Sequence, residues 1–379
     1  MRTTASFDLF PDAPSERAIA RARWLAQEGR VADAEAAYRS VLAARPELKE
    51  GWAECFELLR RHNRAADALA LAEGALGQFG ATAFPFTLQA AALVELGRYR
   101  EALTALERAL EGDPDLALAW HELGYAAYRL GDPNRALLAL DRAFALEPHT
   151  ETLRLRGRIL RDAGRYQAAE VAFEGAAQAT EQQEIRDAAE REILATRRFA
   201  LYAPRKPDDL GLAQRVFAET GAVVLASVPS PAPPTDPALL RAFTELASDA
   251  GWVFGQVIAL DAPPAGWGEL AASFGTPTAA ADADPERCPL VVATRAPLEA
   301  DISDTVAAVR ARGGLVFALE GLIGSAPDSG ADVIGALADG RGRRSLAPDL
   351  AEALTQAQHP ASRLAGRRLR PRTTPPDPA

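Results

Sequence analysis

The feature that most constrains the fold of this chain is a spacing of 33 or 34 residues that recurs through its first half. Three positions recur in each interval. The first is a glycine or asparagine, the second is an alanine five residues later, and the third is an apolar residue four residues after the alanine. The three series are Gly29, Asn63, Gly97, Gly131 and Gly164; Ala34, Ala68, Ala102, Ala136 and Ala169; and Tyr38, Ala72, Leu106, Leu140 and Phe173. Such a period predicts stacked copies of one structural unit.

Each unit is predicted to be a pair of antiparallel helices. In the fourth unit, Trp120, Leu123 and Ala127 share one helical face. Gly131 stands where the chain must turn, since glycine adopts the left-handed conformation without penalty, and asparagine is the next best residue there. Pro148 ends the second helix. Because a unit of this size buries its apolar face only against its neighbours, the spacing has to be kept strictly.

This pattern resembles the tetratricopeptide repeat, and the resemblance covers about half of the chain. The matching residues are Trp120, Leu123, Gly124, Ala136, Leu140, Ala143 and Pro148. Cys55 and Phe56 replace the Leu-Gly pair in the second unit, and Gln89 and Ala90 replace it in the third. The resemblance implies an all-α solenoid over 15–203, with five helix–turn–helix units at 15–48, 49–82, 83–116, 117–149 and 150–183 and a capping helix at 184–202.

In the repeat family, the first helix of each unit lines a concave groove. The resemblance therefore implies a protein or peptide partner bound by Phe84, His121, Tyr125, Tyr128, Arg154, Arg158 and Arg161. Apolar groups beside three arginines suit a peptide with apolar anchors and an acidic segment. The alternative is that the tyrosines belong to the core and the arginines form a solvated face. The lysine and asparagine clamp of the chaperone-tail receptors is missing, which argues against such a tail as the ligand.

The second half has a different pattern, in which short apolar runs alternate with helical segments. The predicted strands are 222–228, 253–260, 289–294 and 314–320, and the predicted helices are 210–221, 237–251 and 300–313. This alternation predicts a small α/β domain over 208–340, with a Rossmann-like parallel sheet covered on both faces. Residues 1–14 are interpreted as a leader. Residues 341–379, which are basic and end in a proline-containing stretch, are predicted to be a disordered tail.

Polar residues at the carboxyl ends of these strands define a possible ligand pocket, since parallel sheets bind ligands at that edge. They are Ser227, Asp261, Thr294, Arg295 and Glu320. No catalytic residue can be assigned, because 208–379 contains no lysine, its single histidine is His359, and no G-x-G-x-x-G follows a strand. An enzyme or small-ligand sensor in this half, with the repeats recruiting a partner, is the alternative to a scaffold that binds through its repeats.

Composition narrows the remaining possibilities. The net charge is −10, and residues 208–340 hold 18 acidic residues against 6 arginines, so nucleic acid is not expected as the main partner. Cys55 and Cys288 have no partner motif, and no metal or cofactor is expected. No apolar run reaches the length of about 18 residues that a membrane span needs. A cytoplasmic location is expected, and the use of arginine in place of lysine, together with many alanines, suggests a GC-rich bacterial genome.

Overall fold

The computed structural model describes residues 13–260, 263–274, 276–278, 287–296, 303–322, 330–339 and 342–364. The chain forms two compact units, which we call unit 1 (Met1–Ile159) and unit 2 (Leu160–Ala379). The division falls inside a helix of the last repeat. The boundary expected near residue 203 from the end of the repeats therefore differs from the boundary between the compact units.

The repeat half is helical throughout, in the predicted register. Its helices are α1 (Ala13–Gln27), α2 (Val31–Ala44), α3 (Lys49–Arg61), α4 (Ala65–Phe79), α5 (Ala83–Glu95), α6 (Tyr99–Gly112), α7 (Ala117–Arg129), α8 (Pro133–Leu146), α9 (Thr150–Asp162), α10 (Tyr166–Gln178) and α11 (Gln183–Ala200). All five turn positions adopt a positive φ, including Asn63 at 57°. The helical repeat solenoid and its capping helix are thus confirmed.

The small residues of the repeat lie where helices pack most closely. The alanine of every unit is fully buried, as are Leu106, Leu140 and Phe173, which follow it by one turn. A Cβ atom placed on Gly124 would lie 2.7 Å from Cγ of Leu140 and 3.2 Å from the carbonyl oxygen of Ala136. Only glycine therefore lets α7 and α8 pack this closely, which explains the Leu-Gly pair of the fourth unit.

The remainder of unit 2 combines a sheet with helices. After a short 3-10 turn, its elements are α12 (Leu212–Thr220), β1 (Val223–Val224), β2 (Ala226–Pro229), α13 (Asp236–Asp249), β3 (Gln256–Ala259), α14 (Trp267–Phe274), β4 (Thr276–Thr278), β5 (Pro289–Ala296), α15 (Ser303–Ala311), β6 (Leu315–Leu322), β7 (Val333–Asp339), β8 (Gly342–Arg343), β9 (Leu346–Pro348) and α16 (Leu350–Gln358).

The main sheet has the order β1-β7-β6-β5-β3-β4, and all of these pairs are parallel. β8 adds to β7 in the antiparallel direction, and β2 pairs with β9 in a separate ribbon. Helices α13, α14 and α16 share a core with one face of the sheet, centred on Phe243 and Phe317. Helices α12 and α15 pack on the other face. The predicted parallel sheet with two covered faces is confirmed.

Three details of this half differ from the sequence-based prediction. The strand predicted at 222–228 is divided between β1 in the main sheet and β2 in the ribbon. Strand β7, which was not predicted, lies inside the sheet; its Gly335 is required because a Cβ there would lie 2.7 Å from the carbonyl oxygen of Leu319. The predicted disordered tail is wrong for 342–364, since this stretch contains β8, β9 and α16 and buries Leu364.

Two arginines bind the carboxyl end of α12. Arg198, only 5% exposed, donates from Nε to the carbonyl of Ala218 (2.9 Å), from Nη2 to that of Glu219 (3.0 Å) and from Nη1 to that of Ala361 (2.8 Å). Arg363 donates from Nε to the carbonyl of Thr220 at 2.8 Å. The last carbonyls of a helix have no partner within the helix, so these guanidinium groups supply the missing donors. The capping helix α11 is in this way joined to the α/β part of unit 2.

Candidate functional site

In unit 1 the predicted groove residues lie on the first helices of successive repeats, and we call this surface the first-helix face. It comprises Phe84 on α5, Leu118, His121, Glu122, Tyr125 and Tyr128 on α7, and Arg154 and Arg158 on α9. Neighbouring first helices are in direct contact here: Nδ1 of His121 lies 3.0 Å from Oγ1 of Thr152, which joins α7 to α9.

The apolar part of this face is built from Phe84 and Leu118. Phe84 packs edge-on against Phe79, with ring centroids 5.3 Å apart, and the ammonium of Lys49 lies 5.6 Å from its ring. Leu118 is 55% exposed and belongs to the few large apolar residues of unit 1 that face solvent. Together they offer apolar surface that a partner's side chain can cover.

The middle of the face is aromatic. Tyr125 packs edge-on against Tyr99, and the guanidinium of Arg129 lies 4.6 Å from the Tyr99 ring while donating to the Tyr125 hydroxyl at 2.7 Å. Tyr125 and Tyr128 are both half-buried and pack against the core of unit 1. The two tyrosines therefore serve the core and the surface together, which agrees in part with the alternative that they belong to the core.

The two arginines of α9 that belong to this face differ from each other. Arg154 forms an ion pair with Glu151 at 2.6 Å. Arg158 is half-buried, makes no ion pair with any described residue, and has a buried Nε without a hydrogen-bond acceptor. Burial, followed by the charges of His149 and Arg158, lowers the pKa of His121, so the positive charge of this part of the face comes from the arginines.

Arg161 belongs to unit 2 and serves its packing. Its side chain is 15% exposed, and its guanidinium lies 5.7 Å from the ring of Phe173 and 5.4 Å from that of Phe199. It also forms a close ion pair with Glu192 of the capping helix. A guanidinium held by two rings and a carboxylate positions α11, and we do not retain it among the groups offered to a partner.

Sequence reasoning missed Glu122, which is half-buried on α7 and forms no hydrogen bond or ion pair with a described residue. Burial raises the pKa of Glu122; the charge of Arg60 opposes this rise and that of Glu95 adds to it. Arg60 itself forms ion pairs with Glu95 (Nε to Oε1, 2.6 Å) and with Glu57 (Nη1 to Oε2, 3.4 Å). No sequence pattern marks Glu122, because its distinguishing property is the lack of a partner in three dimensions.

Unit 1 also has a cavity of about 770 Å³ on its second helices, lined by apolar residues of α6 and α8 and by Trp120. All four of its charged lining residues are in ion pairs: Glu107 with Arg135, Arg142 with Asp115, and Glu111 with Arg108. The first-helix face differs from this cavity because it carries Arg158 and Glu122, which have no ion-pair partner among the described residues.

In unit 2, three of the five predicted pocket residues come together. Thr294, Arg295 and Glu320 line a cavity of about 760 Å³ at the carboxyl ends of β5 and β6. Nε of Arg295 lies 3.2 Å from Oε2 of Glu320. Arg343, which the sequence analysis did not predict as a pocket residue, forms ion pairs with Glu320 (Nε to Oε1, 3.0 Å) and with Asp236. The two arginines and two carboxylates largely neutralise each other.

The other two predicted pocket residues do not join this cavity. Ser227 lies on β2, where its buried hydroxyl has no hydrogen-bond partner among the residues that the structure describes, and it does not line the cavity. Asp261 lies outside the described residues. Within the part of the chain that the structure describes, no group of histidine, cysteine and acidic side chains could hold a metal ion, and none of the helices has the length and apolar character of a membrane span.

Comparisons with known proteins identify the repeat. A family model described as "TPR repeat" matches residues 90–131, and one described as "Tetratricopeptide repeat" matches 121–184. No curated protein matches the chain.

Several solved structures are similar to the helical half. The thermophilic TPR protein TTC0263 of Thermus thermophilus is 19% identical, with 48% of this chain and 99% of that chain covered and a TM-score of 0.42. The pilF protein of Pseudomonas aeruginosa is 18% identical, with 50% and 84% covered and a TM-score of 0.42. YrrB, "a TPR protein with an unusual peptide-binding site", is 18% identical, with 48% and 98% covered and a TM-score of 0.37. The assignment of the repeat rests on the family models and on the helices described above.

Proposed function

We propose that this chain, whose residues 90–184 carry tetratricopeptide repeats, is an adaptor that binds a peptide segment of a partner protein on the first-helix face of unit 1. The observation that carries this proposal is Arg158, a half-buried guanidinium without a counter-ion among the described residues. The buried Nε of Arg158 has no hydrogen-bond acceptor among the described residues, and an unsatisfied buried donor lowers stability. A carboxylate from a partner would remove this cost on binding.

The surroundings of Arg158 support this proposal. Elsewhere in unit 1, arginines of similar exposure are paired, such as Arg60 with Glu95 and Arg156 with Asp141. The two acids on the same helix are engaged by other arginines, Glu151 by Arg154 and Asp162 by Arg161. The exposed Leu118 on the adjacent helix offers a place for an apolar side chain. The partner segment is therefore expected to contain an acidic residue and an apolar anchor.

The proposal is tested with a displayed library of random 12-residue peptides, selected on the full-length chain. We expect enriched peptides to contain aspartate or glutamate together with a large apolar residue. Arg158→Gln should weaken the binding of such peptides by about tenfold or more, the value of one charge-assisted hydrogen bond. Arg100→Gln is the matched control, because Arg100 is exposed on the second helix α6.

The two results that count against the proposal are clear. Selection that enriches no peptide would exclude peptide binding by this face. Enriched peptides whose affinity is equal for the parent, Arg158→Gln and Arg100→Gln would place the binding surface elsewhere.

A small-ligand site in unit 2 is the second candidate, favoured by the polar cavity at the carboxyl ends of β5 and β6. Arg295 is its most accessible charged group, with 71% of its side chain exposed. A panel of small carboxylates and inorganic phosphate should raise the melting temperature of the parent but not that of Arg295→Ala. Equal melting temperatures with and without every compound would remove this candidate.

A further inference from the structure

Glu122 and Arg158 are the two charged groups of the first-helix face that have no counter-ion among the described residues, and they have opposite signs. They occupy neighbouring first helices, α7 and α9. Glu122 follows His121 directly, and successive residues of a helix are rotated by about 100°. His121 points to α9, where it meets Thr152. Glu122 is turned toward the preceding repeats, and its electrostatic neighbours are Arg60 on α3 and Glu95 on α5.

The groups around Glu122 leave an excess of negative charge. Arg60 is the cation whose charge acts on Glu122, but this guanidinium is already paired with Glu95 and Glu57. Arg61 is paired with Glu57 as well, so three carboxylates share two arginines and one negative charge is left over. Burial raises the pKa of Glu122 more than the charge of Arg60 lowers it. A cationic side chain placed beside Glu122 would balance the remaining negative charge.

The separation of the two groups sets the spacing of a ligand that reaches both. Axes of packed helices are about 8–10 Å apart. An extended peptide advances about 3.3 Å per residue. Because Glu122 is turned away from α9, two side chains of an extended peptide that meet Glu122 and Arg158 must be at least about three positions apart.

We propose that the partner segment is amphoteric, with a lysine or arginine against Glu122 and an aspartate or glutamate, at least about three positions away, against Arg158. This inference rests on the proposed function, because it specifies the peptide bound by the same face. It adds a basic residue to the peptide, which the apolar side chains and Arg158 of the first-helix face do not by themselves require. The alternation of sign along the face would also fix the register of the peptide, since a shift by one repeat would place like charges together.

The test uses peptides selected from the 12-residue library on the full-length chain. We expect the enriched sequences to contain a basic residue at a constant spacing of at least about three positions from the acidic one, in a single order. A synthetic peptide with this pair is then compared with three versions of itself: basic residue to glutamine, acidic residue to glutamine, and the two charges exchanged. Each change should weaken binding to the parent chain by about tenfold or more.

Variants of the chain assign each charge to its site. Glu122→Gln should lose the preference for the basic residue and keep that for the acidic one, and Arg158→Gln should do the reverse. Glu122→Lys should now prefer a second acidic residue in place of the basic one. Glu73→Gln, at an exposed glutamate of the second helix α4, is the control and should bind like the parent.

The outcomes separate this inference from the proposed function. Enriched peptides that carry an acidic residue but no basic position would overturn the inference and leave acidic-peptide binding intact. The same holds if Glu122→Gln and the parent discriminate equally between the basic peptide and its glutamine version. If selection enriches no peptide at all, both the proposed function and this inference are wrong.

Discussion

The two units of this protein use arginine in different ways. In unit 1, arginines form exposed ion pairs between helices of adjacent repeats, as between Arg64 and Glu35 or Arg60 and Glu95, and the core is made of small apolar residues. In unit 2, arginines donate from buried positions to backbone carbonyls, as Arg198 does to residues 218, 219 and 361. A buried arginine that donates to three backbone carbonyls is thus found in unit 2, alongside surface pairs such as Arg197 with Glu170.

This difference shows where an arginine signals function. Surface ion pairs contribute little to stability, so a solenoid can form them wherever two charges meet. Against that background, Arg158 and Glu122 differ because they are half-buried and have no ion-pair partner among the described residues. In unit 2, an arginine on the sequence is a poor guide to binding, because Arg161, Arg198 and Arg363 all hold the unit together.

The largest effect of a single substitution is expected at Arg198. Burial lowers the pKa of this guanidinium to about 10, so it remains charged at neutral pH while it donates to three carbonyls. Arg198→Met leaves these acceptors without donors and should destabilise unit 2 by about 3 kcal/mol or more. Amide hydrogen exchange followed separately for segments of unit 2 and unit 1 measures this change, because tryptophans occur in both units.

Arg197 is the control for that experiment, because it neighbours Arg198 on α11 but pairs with Glu170 at the surface. Arg197→Met should change the stability by about 0.5 kcal/mol or less. Similar losses at the two positions would contradict the distinction drawn between buried and surface arginines.

An intermediate effect is expected at a helix crossing of unit 1. Ala136 is fully buried, and its carbonyl oxygen would lie 3.2 Å from a Cβ atom placed on Gly124. Ala136→Leu should cost about 1–3 kcal/mol, because the added atoms must force α7 and α8 apart. Leu138→Ala, two residues further along α8 at a position 72% exposed, should cost about 0.5 kcal/mol or less. The urea midpoints of unfolding of the two variants are measured from the loss of helical ellipticity. Equal midpoints for both variants and the parent would show that a larger side chain fits at the crossing of α7 and α8.

The smallest effect concerns the pH dependence of Glu122. Its pKa is raised in the folded chain above the ordinary value of 4.5, so the folded state holds this proton more tightly than the unfolded state does. Its contribution to stability is present below pH 4.5 and is lost as the pH rises through the folded pKa. At pH 7 the free energy of unfolding of Glu122→Gln should therefore exceed that of the parent by about 1 kcal/mol or less, and its melting temperature should be slightly higher. A lower melting temperature for Glu122→Gln at pH 7 would show that the carboxylate is stabilised by a contact within the fold.

The sequence predicts the repeat half well because its determinants are local and recur. Gly131 and Asn63 stand at positions that need a positive φ, and Ala136 stands where two helices touch, so spacing alone locates them. The α/β half is less predictable. Strand β7 contains Gly335 and other small residues, because the sheet and α13 approach closely there, and this composition hides the strand.

The residues of the candidate site also fall into those that the sequence predicts and those that it does not. The repeat register places Phe84, His121, Tyr125 and Arg158 on the first helices, as the structure has them. It cannot distinguish Arg158 from Arg161, because only the packing of Phe199 and Glu192 around Arg161 shows that the latter is already used. It cannot identify Glu122 either, since the absence of a counter-ion depends on the positions of α3 and α5.

The contact between Arg198 and the carbonyl of Ala361 also has a consequence for how the chain is made. These two residues are 163 positions apart. A ribosome that adds about 5–20 residues per second needs on the order of 10–30 s to pass from the first to the second. During that interval the repeats of unit 1, whose contacts are local, can already assemble as they emerge. The capping helix can pack on α10 as soon as it is made, but the side that carries Arg198 lacks the carbonyl of Ala361 until the end of this interval.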